Sequence, residues 1–177
     1  MTFGDAARLD PDDAAGELDA GAWVPMTRNT WRHGQIVSKI TFLLMTWSRE
    51  RPEWIVSTGD PGTKLGHGPD TLRGPDIGVV HRDRMPAGRG EHGWLDGAPD
   101  LVVEVLGDAQ TMADAVEKAL QFLRAGAKIV WLVDREAERV MVMTPPDHTR
   151  VAGPQATLDG ADALPELRVQ VADVFAR

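Results

Sequence analysis

The sequence contains no cysteine among its 177 residues. Disulfide bonds and thiolate metal sites are therefore excluded, and the redox compartment is left open. The sequence also contains no secretory signal and no apolar run near the length needed to span a bilayer. We therefore expect a cytoplasmic protein without a membrane partner.

An excess of basic residues is also missing. The formal net charge is −8, but six acids and one base fall within the first 20 residues. The other 157 residues carry 18 basic and 21 acidic residues, which gives them a net charge of −3. A strongly basic nucleic-acid-binding face is therefore not predicted. A cluster of acidic metal ligands would make the metal-free chain more negative than the metal-bound protein. The charge balance therefore argues only mildly against tight DNA binding.

The chain length suits one domain with a substantial core, and a hydrophobic content of 42% is ordinary for a globular protein. We expect residues 1–16 to be an acidic segment with a short helix, capped by Asp10 with Pro11 at its first position. Residues 17–177 then form one domain that begins with two short strands around a tight turn at Ala20-Gly21. No repeat or linker divides it.

The most informative stretch is the apolar run from Leu101 to Leu106, which is bounded by Pro99 and Gly107. A run this short and rich in β-branched residues is typical of a buried strand. Glu104 lies in its middle, and an unpaired buried carboxylate costs several kcal/mol. We infer that Glu104 needs a cation, an ammonium group or a proton.

The next segment supplies an ammonium group. Residues 111–125 predict a helix that Thr111 caps and a glycine ends. A strand rises ~3.3 Å per residue and a helix ~1.5 Å, so Glu104 and Lys118 both lie roughly 10 Å from the connecting loop. Lys118 can therefore lie level with Glu104 if the helix folds back along the sheet. Asp114, one turn earlier, points the same way.

A longer helix is predicted over residues 27–50, with His33 near its beginning. A lone histidine is more often a surface or packing residue than part of a site. Residues 53–58 predict a strand. The Gly-, Pro- and Asp-rich residues 59–74 indicate a long loop or an irregular hairpin.

Asp76 opens the next predicted strand. An aspartate there is commonly only a turn residue, but with Glu104 on a neighbouring strand two carboxylates would form a site for a hard cation. Three arginines, Arg82, Arg84 and Arg89, lie in the polar connection that follows the strand. That connection is either a phosphate contact or a solvated loop.

Further strands are predicted at residues 128–133 and 139–143, with an edge strand at residues 151–158 and a short helix near the C-terminus. The resulting fold class is a single α/β domain. Its mixed central β-sheet is flanked by the helices at residues 27–50 and 111–125.

The motifs at Pro75-Asp76, residues 100–106 and residues 114–118 resemble those of the Uma-type family of putative restriction endonucleases. This family is placed in the PD-(D/E)XK nuclease superfamily. The resemblance extends from about residue 17 to residue 175. It implies a restriction-endonuclease-like fold, a DNA partner and a Mg²⁺ or Mn²⁺ cofactor.

The resemblance also implies roles for individual residues. Asp76, Glu104 and the backbone carbonyl of Val105 would hold the metal, which would polarise a phosphodiester and lower the pKa of a bound water. Lys118 would orient or activate that water and offset transition-state charge. Asp114 would hold Lys118 or contact a second metal. A further residue, His33, matches a family position at the same cleft.

The sequence departs from the superfamily pattern, in which a lysine stands two residues after the glutamate. Position 106 is leucine. Uma-type families carry a lysine on the following helix instead, and Lys118 fits that position. Residues 107–110 also replace a Ser/Pro-rich loop that is common in the family, although glycine and aspartate suit a turn equally well.

Three interpretations stay open at this point. The first is a metal-dependent endonuclease that hydrolyses DNA phosphodiester bonds; cutting both strands would need two sites and hence a homodimer. The second is a catalytically inactive nucleic-acid-binding or regulatory module of the same fold. The third treats Glu104 and Lys118 as a buried ion pair only, which leaves Asp76 without a role.

Overall fold

The structure is a computed structural model that describes residues 1–9, 15–108 and 110–176. The helix start predicted at Asp10 and Pro11 lies outside the described residues. The elements, in chain order, are α1 (Phe3–Ala6), β1 (Gly16–Asp19), β2 (Ala22–Pro25), α2 (Trp31–Ser48), β3 (Trp54–Thr58), β4 (Thr63–Gly66), β5 (Thr71–Arg73), β6 (Ile77–His81), β7 (Leu95–Asp96), β8 (Leu101–Val105), α3 (Met112–Arg124), β9 (Ile129–Asp134), β10 (Arg139–Thr144), β11 (His148–Ala152), β12 (Thr157–Asp159), β13 (Arg168–Gln170) and α4 (Val171–Phe175).

The central sheet has six strands in the order β11-β10-β9-β8-β6-β3. Strands β8 and β9 are parallel, and the other neighbours are antiparallel, so the predicted mixed sheet is confirmed. The α3 helix connects the two parallel strands, as a parallel crossover requires. Residues 151–158, predicted as one edge strand, are instead divided between β11 and β12.

Both faces of β8 are buried, which explains its continuous apolar run. Alternate residues point to opposite faces of the sheet. One core cluster joins β8 to α2 through Leu101, Val103, Val105, Ile36, Ile40 and Leu44. The cluster on the other face joins β8 to α3 through Val102, Ala115, Ala119 and Phe122. This alternation puts Glu104 on the face that α3 covers.

The α2 helix begins at Trp31, four residues later than the predicted start at residue 27, and ends at Ser48. The reason is a cap that the periodicity does not reveal: the side chain of Thr30 accepts a hydrogen bond from the backbone N–H of His33. The α3 helix lies close to its predicted limits. Its start is a capping box between Thr111 and Asp114.

A second, five-stranded sheet has the order β2-β1-β5-β4-β7. Within residues 59–74, strands β4 and β5 pair antiparallel with a register shift between Lys64 and Gly66, so the irregular hairpin is the correct alternative. Phe3 of α1 joins the core of this sheet with Leu18 and Leu72. Across the described residues, none of the helices has the length and apolarity needed to cross a membrane.

Substitution of Ile40 by alanine tests the packing of α2 on the central sheet. Ile40 is fully buried, so Ile40→Ala should lower the free energy of unfolding by about 2–5 kcal/mol. Met45→Ala, at an exposed position of the same helix, is the control and should change it by less than about 0.5 kcal/mol. Urea unfolding followed by circular dichroism measures both. Equal effects of the two substitutions would contradict the described packing.

Candidate active site

The central strands bring Asp76 and Glu104 together. Strands β6 and β8 are antiparallel with Ile77 opposite Val103, so position 76 continues the ladder opposite position 104. The backbone N–H of Val105 donates a hydrogen bond of 2.7 Å to Oδ2 of Asp76. The start of one strand is thereby fixed to the end of the next, and the two carboxylates lie at the same edge of the sheet.

His33 also belongs to this site. Its Nε2 lies 3.3 Å from Oδ2 of Asp76 and 3.1 Å from the carbonyl oxygen of Val105. Both neighbours are acceptors, so Nε2 must carry the hydrogen that it shares with them. A buried histidine at the start of α2 thus fixes the orientation of the Asp76 carboxylate and the Val105 carbonyl.

Lys118 reaches the site from α3. Its Nζ lies 3.0 Å from Oε2 of Glu104 and 2.9 Å from Oε1 of Glu17, and it donates a hydrogen bond of 3.3 Å to the carbonyl oxygen of Gly74. The rise per residue of the strand and that of the helix predict a contact between Glu104 and Lys118, and the structure contains this contact. An ammonium group has three hydrogens, so these three acceptors can occupy all of them.

Glu17 is a site residue that the sequence analysis missed. It lies on β1 and is 7% exposed. Besides contacting Lys118, its carboxylate accepts hydrogen bonds of 2.9 Å from Nη1 of Arg73 and from the backbone N–H of Gly74. More than 50 residues separate Glu17 from these partners, so no local spacing could have indicated the contact. Glu17 links the second sheet to the site.

Asp60 also lies near these charges and was missed. It occupies the turn between β3 and β4 with a φ of 56°, a left-handed conformation that aspartate tolerates. Gly74 permits this approach, because a Cβ there would come within 2.8 Å of the Asp60 backbone. Burial raises the pKa of the Asp60 carboxyl, and the charge of Asp76 adds to the effect. In the sequence, residues 59–74 are recognisable only by their Gly-, Pro- and Asp-rich composition, which does not single out Asp60.

Asp114 has a different set of contacts from those expected. Its Oδ2 accepts hydrogen bonds from the hydroxyl and backbone N–H of Thr111, and these bonds lower the pKa of its carboxyl. The carboxylates that the structure pairs with Lys118 are Glu17 and Glu104. Asp114 therefore starts the helix that carries Lys118, at the rim of the same cleft.

The arginines that follow β6 lie away from the site. Asp76 precedes this strand, whereas Arg82 and Arg84 follow it at its opposite end. Arg82 donates to the carbonyl of Pro52, and Arg84 donates to Asp100 and to a backbone carbonyl. Their contacts within the fold favour the surface-loop interpretation over phosphate contact in the cleft.

Glu104 is the most perturbed acid of the site. Its Oε1 is buried without a hydrogen-bond partner among the described residues. Burial raises the pKa of Glu104 to about 8; Lys118 opposes this shift, while the charges of Asp76 and Glu17 increase it. Burial alone would lower the pKa of Lys118, but the charges of Glu104 and Glu17 raise it above its usual value. Lys118 is therefore protonated at neutral pH.

These residues line a cleft of about 630 Å³. The acids among its lining residues are Glu17, Asp19, Asp60, Asp76, Glu104, Asp108, Asp114 and Glu117. The basic residues are fewer: Arg28, Arg73, Lys118 and Arg135. A surplus of negative charge converges in a partly enclosed space, which favours a cation over an anion as a ligand.

The residues fit a divalent metal ion by their chemistry. Within the described parts of the chain, no group of three or more histidine and carboxylate side chains is arranged as a ready ligand set. The site instead offers two carboxylates, Asp76 and Glu104, and the carbonyl of Val105. All three supply oxygen, the donor that Mg²⁺ and Mn²⁺ prefer. The unpartnered Oε1 of Glu104 is a donor that a cation would satisfy.

A profile of the Uma2 family, described as putative restriction endonuclease, matches residues 3–172. The chain belongs to this family. The match covers almost the whole chain and confirms the family that the sequence resembles. Restriction-endonuclease-like families generally use divalent metals. No curated protein matches the sequence at a significant level.

The fold is similar to that of a putative nuclease of the DUF820 family from Anabaena variabilis, whose crystal structure is known. The TM-score is 0.83 and the sequence identity 22%, over 99% of this chain and 97% of that chain. At this identity the likeness concerns the fold alone. It confirms the predicted α/β fold class and its likeness to a nuclease fold.

The raised pKa of Glu104 predicts a pH-dependent stability for the metal-free protein. The folded-state pKa of about 8 exceeds the ordinary 4.5, so the folded state binds this proton more tightly than the unfolded state. The stabilisation is complete below the ordinary value and is lost as pH rises through about 8. Wild type should therefore lose stability relative to Glu104→Gln as the pH rises from 5 to 8, by at most about 1.4 kcal/mol per pH unit.

Urea unfolding in EDTA at several pH values measures this difference. The glutamine variant is the matched comparison because it has the shape of the protonated acid and does not titrate. A difference that stays constant across the interval would show that Glu104 is not desolvated as described.

Proposed function

We propose that the protein is a metal-dependent endonuclease that hydrolyses DNA phosphodiester bonds. The observation that carries the proposal is the Glu104 carboxylate beside Asp76 in an acidic cleft: protonated Lys118 contacts its Oε2, and its buried Oε1 has no partner among the described residues. Membership of the Uma2 family and the nuclease-like fold support it. Cleavage of both DNA strands would employ two copies of the chain, so we include a homodimer in the proposal.

Asp76, Glu104 and the Val105 carbonyl would hold Mg²⁺ or Mn²⁺. When bound, such an ion supplies Lewis-acid chemistry, which polarises the phosphodiester and acidifies the attacking water. His33 supports two of these ligands through Nε2 and restricts their movement. Outer contacts of this kind usually matter to metal affinity almost as much as the ligands themselves.

Lys118 acts as an ammonium group, because its neighbours raise its pKa. It therefore donates hydrogen bonds and offsets negative charge at the scissile phosphate instead of removing a proton. Glu17 and the Gly74 carbonyl hold the ammonium beside Glu104. Asp114 supports this position indirectly by capping the helix on which Lys118 lies.

The site's charges distinguish this proposal from the two alternatives. A nucleic-acid-binding module that works without metal would have to accept a polyanion into a cleft lined mostly by acids. A buried ion pair would account for Oε2 of Glu104, but within the described part of the chain it leaves Oε1 without a partner. A bound cation would offset the negative charge of the cleft and would give Oε1 of Glu104 a partner. We therefore favour the metal-dependent nuclease.

Replacing Glu104 or Lys118 should strongly reduce DNA cleavage. We expect Glu104→Gln and Lys118→Met each to reduce nicking of supercoiled plasmid in Mn²⁺ by about 10²–10³-fold, the loss typical of a group that stabilises transition-state charge. Arg124→Met, an exposed basic residue on the same helix, is the control and should nick at the wild-type rate. Circular dichroism checks that each variant is folded. Wild-type nicking by folded Glu104→Gln would refute the assigned role.

Metal binding can be tested without turnover. Calorimetric titration with Mn²⁺ should show saturable binding to wild type, and Asp76→Ala should weaken it by about 10-fold or more because a direct carboxylate ligand is lost. Glu117→Gln removes one acid from the same cleft without removing a proposed ligand, and we expect its affinity to stay within about twofold. Equal losses in both variants would mean that the cleft attracts the ion only by its general charge.

A further inference from the structure

Trp31 is the most exposed large apolar side chain among the described residues, at 91%. It is the first residue of α2 and lies two positions before the site residue His33. A tryptophan contributes about 150–250 Å² of apolar surface when it is buried, so leaving one in water forfeits a large stabilisation. The folded chain does not use this side chain for its own core, and a function in binding would explain its position.

Trp31 lies where the candidate active site opens onto a second concave surface. A groove of about 1010 Å³ runs along α2 and is lined by Trp31, Arg32 and Lys39. Asn29 and Thr30 line both this groove and the acidic cleft. A polymer whose reacting group lies in the cleft can therefore continue past Trp31 into the groove.

The charge of the surface changes along this path. The cleft is lined mostly by acids, but Arg28 at its edge and Lys39 in the groove are basic. Neither has an acidic partner within the described part of the chain. Arg32 also lines the groove, but its side chain forms an ion pair with Glu136. Cations without partners beside an exposed aromatic ring are the combination that binds single-stranded nucleic acid, by phosphate contacts and base stacking.

We propose that Trp31 is a stacking platform for an unpaired nucleobase near the scissile phosphate, with Arg28 and Lys39 contacting the adjoining phosphates. The inference rests on the proposed function and narrows its substrate to DNA with unpaired bases next to the cleavage site. A base in an intact duplex is stacked on its neighbours and has no free face for an indole ring. The strand that leaves the cleft would cross Trp31 before it follows the α2 groove.

A second copy of the chain is the competing occupant of this surface. Phe42 and Met45 are also exposed on α2, but Phe42 lies 11 residues after Trp31, about 16 Å along the helix axis. Two basic side chains, Arg32 and Lys39, line the groove near Trp31, whereas charged residues are depleted at the centre of a homodimer interface. The surroundings of Trp31 therefore favour nucleic acid.

Fluorescence anisotropy with labelled oligodeoxythymidylate tests the proposal. All proteins carry Glu104→Gln and are measured both in EDTA and in Ca²⁺, which lowers the repulsion between the acidic cleft and the strand, so the result does not depend on nuclease activity. Trp31→Ala should weaken binding of the single strand by about 5- to 150-fold, the range measured for one base–aromatic stack. Trp31→Phe should recover most of the affinity. Phe42→Ala, at another exposed aromatic position of the same helix, should bind like its parent.

The comparison with other ligands makes the result specific. Binding of a blunt duplex should be weaker and should not depend on Trp31. An unchanged affinity of Trp31→Ala, or equal losses on single strand and duplex, would overturn the stacking role. A tighter complex with oligouridylate would assign the platform to RNA and overturn the DNA assignment. Conversion of a dimer to a monomer by Trp31→Ala, seen in sedimentation velocity, would show that the surface binds a second copy.

Discussion

The ammonium group of Lys118 between Glu17 and Glu104 is the interaction on which this site depends. The three residues come from α3, from the second sheet and from the central sheet, so one buried cation holds three parts of the fold together. Removing one partner of a buried ion pair typically costs about 3–5 kcal/mol, because a charge is left uncompensated. Here two carboxylates share one amine, and Asp76 adds a third negative charge nearby. Arg73 supplies a second cation at Glu17, so three acids face two basic side chains, which leaves an excess of one acid at the site.

That excess persists because the backbone fixes the carboxylates in place. Val105 donates to Asp76 while His33 contacts the same Asp76 oxygen and the Val105 carbonyl. Glu17 is held in the same way by Arg73 and the backbone of Gly74. Each acid thus has directional contacts that compensate part of its desolvation, except for Oε1 of Glu104. Burial raises the pKa of Glu104, and the charges of Asp76 and Glu17 add to the effect.

The sequence predicted the part of the site that is formed by elements adjacent in the chain. Glu104 was recognisable because a charge interrupts a buried strand, and Lys118 because a helix folding back along that strand has a calculable rise. Glu17 was not predictable in this way, since it reaches the site through pairings between segments far apart in the chain. Asp60 was not predictable because it lies in an irregular turn, whose path the composition of residues 59–74 does not specify. The late start of α2 depends on the hydrogen bond that the Thr30 side chain accepts from the backbone N–H of His33, which hydrophobic periodicity does not encode. Local periodicity therefore identified the strand and the helix, but it could not identify what the second sheet contributes.

The position of the lysine has a consequence for how the site is maintained. A lysine two residues after Glu104 would be positioned by the same strand, with no further packing required. In this chain the strand carries leucine at position 106, and the amine arrives from α3 instead. The distance between the amine and the carboxylate is therefore set by the packing of Ala115, Ala119 and Phe122 against the sheet. Small residues at two of these three contacts let the helix approach closely, so the geometry of the proposed chemistry is a property of the hydrophobic core as much as of the charged residues.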